Sequence, residues 1–324
     1  MQKIAKEAGK LSSFAGIYRK CNSGTMADKL ANPIDFPRLI DIELTNQCNL
    51  HCAMCPTGQG IVKRPKGLMS ANLFGLILKE AAKYGAALRF VRWGEPFIHP
   101  QCLAFCKLAR QVNVPVWINT NGTLIDDEAI DRIIHLRYGP STIKFSFQGV
   151  TAEQYKKWRG EDNFEKLFET VGEIYKKRGA FRMPFIQIGS TITDESTANE
   201  VAEFRHFAEK IADKVEISRT KKIGFDPCSM AENCPEIFDK MSINWDGTVV
   251  ACCADYDNEM VVGDLAKSSL KNIWDFGPEL REIRADLAAG RWNKYRLCGG
   301  NCYDAGNSKA DEGQAKGVFQ SSAK

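Results

Sequence analysis

Histidine is scarce: the 324-residue chain has four, His51, His99, His135 and His206, and none stands at the spacing of a metal-ligand pair. Each is given an ordinary imidazole role. The chain also lacks a G-x-S-x-G elbow, a P-loop and a Rossmann glycine pattern, which takes away the usual support for hydrolase, NTPase and nicotinamide readings. Neither sign of charge dominates. Forty-four Lys+Arg against 40 Asp+Glu leave +4 with no long basic block, so no nucleic acid and no membrane surface is expected as a partner. No run reaches the roughly 18 apolar residues of a membrane span. Lys3, Lys6, Glu7, Lys10, Arg19 and Lys20 interrupt the first twenty residues and leave no signal-peptide core, so a cytoplasmic location is expected. The length suits a domain of about 200 residues with a smaller one, and 44% hydrophobic residues supply the core.

Cysteine, by contrast, is plentiful, with twelve residues. In a reducing compartment that number points to metal or redox chemistry before disulfides. Cys48, Cys52 and Cys55 form C-x3-C-x2-C on one loop directly after the first expected strand. Three thiolates so placed can each hold one iron of a [4Fe–4S] cubane and leave the fourth iron open to a ligand. A closed zinc site, the competing reading together with three buried thiols, takes four ligands and usually two short pairs, which this spacing does not offer.

Short β-rich runs alternate with helix-period segments from Leu39 onward. Strands are expected at Leu39–Leu44, Leu88–Val91, Val114–Ile118, Ile143–Phe147, Phe185–Ile192 and Val215–Ser218. Helices are expected at Ala71–Tyr84, Cys102–Val112, Asp127–Arg137, Asn163–Lys177 and Asn199–Ile211. Six βα units predict an α/β fold, a partial (β/α)6 TIM-like barrel with its chemistry at the C-terminal strand ends; a flat doubly wound sheet is the competing architecture. Residues 1–38 read as an N-terminal arm closed by Asn32-Pro33 and Phe36-Pro37, 39–218 as the barrel, 219–303 as a small cysteine-rich domain, and 304–324 as a flexible tail. Asn244-Trp245-Asp246-Gly247 is the turn of an expected hairpin within the small domain.

The Cys48-to-Pro56 loop resembles the cluster loop of the radical S-adenosylmethionine (radical SAM) superfamily, and the resemblance extends over Leu39 to Cys302. It implies a [4Fe–4S] cluster whose open iron binds SAM, reductive SAM cleavage to a 5′-deoxyadenosyl radical, and hydrogen abstraction from substrate. Trp93-Gly94-Glu95-Pro96 resembles the family's Gly-Gly-Glu-Pro segment, with Trp93 where the family has its first glycine. Thr120-Asn121-Gly122 resembles the family's Thr-Asn-Gly turn, and Ser146 with Arg159 the serine and arginine that hold SAM. Gly94, Glu95, Asn121, Ser146 and Arg159 are therefore the expected SAM-binding residues. An arginine fork suits the methionine carboxylate.

The C-terminal cysteines resemble the SPASM/Twitch extension, which carries auxiliary iron–sulfur clusters. Cys234, Cys252, Cys298 and Cys302 are the expected ligands of one auxiliary [4Fe–4S] cluster with Cys228 in reserve, and a closed zinc site is the alternative. A saturated cluster cannot bind substrate, so it points to an electron acceptor. The expected function is oxidation of a small polar metabolite, a sugar or aminocyclitol, fed by a reducing partner such as flavodoxin or ferredoxin. The arm of about 38 residues is too short for an independent leader-binding module. Peptide maturation is the alternative substrate reading, and a non-catalytic iron–sulfur or zinc electron-transfer protein is the alternative from another class.

Overall fold

The structure, a computed structural model, describes residues 14–135, 138–219, 234 and 236–299. Cys228, Cys302 and the tail lie outside them.

Six parallel strands run in sequential order: β1 (Leu39–Ile42), β2 (Ala87–Phe90), β3 (Val116–Thr120), β4 (Thr142–Gln148), β5 (Phe185–Ile192) and β6 (Lys214–Arg219). Helices α3 (Ala71–Tyr84), α4 (Cys102–Gln111), α5 (Asp127–Ile133), α7 (Phe164–Arg178) and α8 (Ala198–Ala208) connect them, as the sequence period predicted. The first of these helices begins and ends for a local reason. Ser70 accepts a hydrogen bond from the Leu73 amide to start α3, and Gly85 ends it at a left-handed φ of 73°. Phe74, Ile77, Leu78 and Ala81 form one buried face of α3, and Phe74 stacks on Phe105 of α4 at 4.1 Å.

Strand alternation divides the molecule. Ile40, Ile42, Leu88, Phe90, Val116 and Ile118 join the main core under the helices. Leu39, Ala87 and Trp117 face the other way and form a separate cluster with Phe14. This second face is the barrel lumen, and it is polar above the cluster. Asp41 takes a two-pronged bond from Arg89 at 2.6 and 2.5 Å, and Lys144 pairs with Glu216 at 2.9 Å.

Three features differ from the sequence expectation. The segment read as an arm contains two short helices, α1 (Ala15–Cys21) and α2 (Met26–Ala31), and the prolines act only after them. α1 packs across the lower lumen, with Phe14 and Tyr18 edge-on to Trp117 at 5.4 and 5.6 Å. A further helix, α6 (Ala152–Arg159), follows β4; Thr151 caps its start and Gly160, at φ 78°, its end. Its mean hydropathy is too low for a periodic apolar face to reveal it, and Tyr155 is its one buried side chain. Third, the C-terminal segment continues the barrel sheet. After α9 (Glu236–Asp239), β7 (Lys240–Ile243) pairs in parallel with β1, Leu39 against Lys240 and Ile42 against Ile243. The expected hairpin joins β7 to β8 (Thr248–Val250) antiparallel, and β9 (Val261–Asp264), not expected from sequence, adds antiparallel to β8, giving nine strands. Helices α10 (Leu270–Phe276) and α11 (Pro278–Ala288) cover this extension, and α12 (Arg296–Gly299) carries Cys298.

Candidate active site at the barrel mouth

The loop after β1 brings Cys48, Cys52 and Cys55 onto the wall of one cavity of about 860 Å³, which continues down the lumen between the strands. The loop is held by its own glycine and by three neighbouring segments. A Cβ on Gly58 would stand 2.5 Å from the Cys52 backbone, so only glycine lets the following turn fold back onto it. The Ala53 amide donates to Trp158 O at 2.9 Å, tying the loop to the end of α6. Asn121 Nδ2 donates to Asn49 Oδ1 at 2.9 Å and approaches Cys48 Sγ at 3.9 Å. Gly94 lies against the loop backbone, where a Cβ would meet Thr45 O at 2.0 Å.

All five expected SAM-binding residues line this cavity or its rim. Gly94, Glu95, Asn121, Ser146 and Arg159 are each on its wall with the three thiols. Their local bonds distinguish them. Both oxygens of the buried Glu95 are engaged: Oε1 accepts from Thr120 Oγ1 at 2.7 Å and the Phe97 amide at 3.1 Å, and Oε2 from the Asn121 amide at 2.8 Å. Burial pushes its carboxyl up, and these donors partly offset that. Glu95 therefore fastens the loop after β2 to the loop after β3. Arg159, the last residue of α6, donates Nη2 to Ser146 O at 2.5 Å and Nη1 to Cys52 Sγ at 3.6 Å. Its buried Nε has no hydrogen-bond partner. A buried N–H left in this state is costly, and a carboxylate is the kind of acceptor that would satisfy it.

The donor set suits a cluster. Burial pushes the Cys48 thiol up to about 11 and that of Cys55 upward, so both are poised as protonated thiols until a metal displaces the proton. Among the described residues no group of three His, Cys, Asp or Glu side chains is spaced to hold a single metal ion. Thiols that take separate corners of a cubane need not converge on one point. Of the expected auxiliary ligands, Cys234, Cys252 and Cys298 are described and half-buried, while Cys228 and Cys302 are outside the described residues. Cys252 follows β8, and its Sγ accepts from the Ala254 amide at 3.4 Å. Asp286 steadies the approach to Cys298, accepting from Arg291 Nε, Lys294 Nζ and Tyr295 Oη at 2.9, 2.8 and 2.7 Å. Cys102 and Cys106 are buried on α4, in keeping with core packing.

Several residues lining the cavity were not singled out from sequence: Arg92, Lys144, Gln187 and Glu216. A signal existed. Strands buried on both faces read as nearly continuous apolar runs, whereas Ile40-Asp41-Ile42-Glu43 and Ile143-Lys144-Phe145-Ser146 alternate, which marks a polar lumen.

The family model for the radical SAM superfamily matches residues 42–208, and that for the SPASM iron-sulfur cluster-binding domain matches residues 234–303. The chain belongs to the radical SAM superfamily and carries a C-terminal SPASM domain. Its cofactors are accordingly SAM, a SAM-binding [4Fe–4S] cluster and auxiliary iron–sulfur chemistry. Similar curated proteins include the AdoMet-dependent heme synthase of Methanosarcina barkeri, 28% identical over 48% of this chain and 43% of that protein. The mycofactocin maturase MftC of Mycobacterium tuberculosis is 25% identical over 61% of this chain and 49% of that protein. The chain thus spans about half the length of these relatives. Among solved structures, Streptococcus suis SuiB bound to precursor peptide SuiA has a TM-score of 0.66 at 16% identity, covering 80% of this chain and 70% of that one. BtrN in complex with AdoMet and 2-DOIA has a TM-score of 0.54 at 17% identity, covering 81% and 92%. At these identities the two structures support the fold.

Proposed function

We propose that this chain is a radical SAM enzyme that oxidises a small polar metabolite, of the sugar or aminocyclitol class, by hydrogen abstraction. When bound, the first cluster and SAM would supply hydrogen-atom abstraction and an auxiliary cluster would supply one-electron acceptance, which together suit the oxidation of a carbinol to a carbonyl. Cys48, Cys52 and Cys55 are the residues that would hold the first cluster, and Arg159 the carboxylate of SAM. Ser146, on the inner face of β4, would reach the ribose. The auxiliary ligands are drawn from Cys234, Cys252, Cys298, Cys302 and Cys228.

The observation that carries the substrate class is the lumen below the thiols. It is crossed by α1 and lined by the fixed pairs Asp41–Arg89 and Lys144–Glu216. Gln187, in register with Lys144 and 1% exposed, holds an Nε2 without a hydrogen-bond partner on this wall. Such a chamber rewards a ligand that offers hydroxyl or amino groups at set positions, and α1 limits water from below. The whole cavity, with the thiols and the expected SAM-binding wall included, has a volume of about 860 Å³, within the roughly 300–1,000 Å³ of ligand pockets.

A peptide substrate is the second reading, because mycofactocin maturase and PqqA peptide cyclase are among the similar proteins and SuiB is recorded with a precursor peptide. The reducing partner in either case would be a flavodoxin or ferredoxin. Among the described residues no helix is long and apolar enough to cross a membrane. The test is anaerobic reconstitution to about eight irons per chain, followed by SAM, dithionite and either a small-metabolite fraction or a peptide fraction. Formation of 5′-deoxyadenosine with consumption of a small carbinol is expected. Consumption of peptide alone would select the second reading, and no 5′-deoxyadenosine from fully loaded protein would reject both.

A further inference from the structure

Arg92 directly follows the loop entry after β2 and has a φ of 122°, a conformation that glycine tolerates and arginine does not favour. Glycine at this position would relieve the strain, so the side chain must contribute more than the backbone loses. That side chain is 1% exposed. Its Nη2 donates to Asp255 O at 2.6 Å, and its Nη1 lies 3.5 and 3.4 Å from Cys252 O and Cys253 O. Its Nε faces Glu43 Oε2 at 4.0 Å. Glu43, at the end of β1, is itself gripped by Arg64 through two bonds of 2.8 Å, and Arg64 Nε donates to Tyr256 O at 2.6 Å. Trp93, which stands where the family has a glycine, packs edge-on to Tyr256 at 5.6 Å. Asp255, fully buried, accepts from the Asp257, Glu259 and Met260 amides and fixes the loop's own shape.

We propose that Arg92 is a positioning residue: its buried guanidinium latches the Cys252–Asp255 loop to the mouth of the barrel and biases the auxiliary cluster held there toward its reduced state. The first half rests on the geometry alone. The second rests on the two-cluster reading above: a guanidinium held on the Cys252 and Cys253 carbonyls favours the form that has gained an electron, with the Glu43 carboxylate 4.0 Å from its Nε offsetting part of that charge. The neighbouring guanidinium, Arg64, is committed to Glu43 and to Tyr256 O.

The latch is tested in the full chain with Arg92→Gln, Arg92→Lys and Arg92→Gly; the last removes the backbone strain and so guards against a mere folding defect. In cluster-free protein, amide exchange in a peptide spanning 250–260 should accelerate at least tenfold in the Gln and Gly variants while β4 is unchanged. In a C48A/C52A/C55A background loaded with iron and sulfide, an EPR-monitored redox titration reads the auxiliary cluster alone. Its reduction should become about tenfold less favourable, about 59 mV for one electron, in Arg92→Gln, and should be largely restored in Arg92→Lys. Unaltered exchange in 250–260 overturns the proposal, and so does accelerated exchange with an unmoved potential. Failure of this triple variant to retain any iron would reject the two-cluster reading itself, and the exchange result would then decide the latch separately.

Discussion

Replacing Arg159 should separate SAM binding from cluster assembly if, as proposed, it holds the SAM carboxylate. The side chain makes one bond to a backbone carbonyl, one weak bond to the Cys52 sulfur, and keeps a buried Nε with no hydrogen-bond partner. Arg159→Met removes the cation without reducing the length of the packed stem much, and leaves Ser146 O to find water. A charge-assisted hydrogen bond is worth about 1.5–3 kcal/mol. At about 1.4 kcal/mol per factor of ten, the dissociation constant for SAM should rise roughly 10- to 150-fold. Arg159→Lys keeps the charge but not the fork, so it should fall between the two. The assay is anaerobic equilibrium dialysis with labelled SAM, accompanied by iron analysis and by initial rates of 5′-deoxyadenosine formation against SAM concentration. Iron content should match the parent protein and KM should rise. An Arg159→Met protein with full iron and a SAM affinity within about twofold of the parent would refute the assignment of Arg159 to the carboxylate.

Asn121→Ala should release the tie to Asn49 and the Cys48 sulfur and cost about 1–3 kcal/mol of loop stability, measured as faster iron loss to a chelator under argon; an unchanged rate would contradict it. Cys52→Ala should abolish 5′-deoxyadenosine formation while auxiliary-cluster absorbance survives, whereas Cys252→Ala should leave uncoupled SAM cleavage and remove net substrate conversion. Burial pushes the Glu216 carboxyl up, but Lys144 and Lys214 outweigh it and hold the group below its usual range. The ion pair's contribution is therefore present above the ordinary carboxylate pKa and is lost as pH falls through the lowered value. The Tm gap between the parent and Lys144→Met should accordingly be wide at about pH 6 and close below about pH 4; a gap that widens on acidification would reverse the sign.

Much of the barrel was legible because its signals are local. The α3 helix falls at Ala71–Tyr84 and β5 at Phe185–Ile192, as read from periodicity, since a packed face must repeat with the geometry of its own element. The gathering of three thiols on one cavity wall was legible for a similar reason: three cysteines within eight residues are kept together by their spacing. The α6 helix escaped because its stability comes from caps and one buried tyrosine, not from an apolar stripe. The helices before the Asn32-Pro33 break escaped because residues 1–36 read as mixed and polar, while the role of α1 depends on a lumen that exists only once the sheet has curled.

By itself the sequence determined the βα rhythm, the three-thiol loop and the kinship of the C-terminal cysteines, all of which depend on residues close together in the chain. Tertiary structure alone decided that β7 extends the sheet from β1, that Phe14 and Tyr18 enter the barrel, and that Arg92 meets a carbonyl 160 residues away. The physical reason is that periodicity and ligand spacing act within one element, whereas the partner of a buried charge is set by which strand ends the topology brings together.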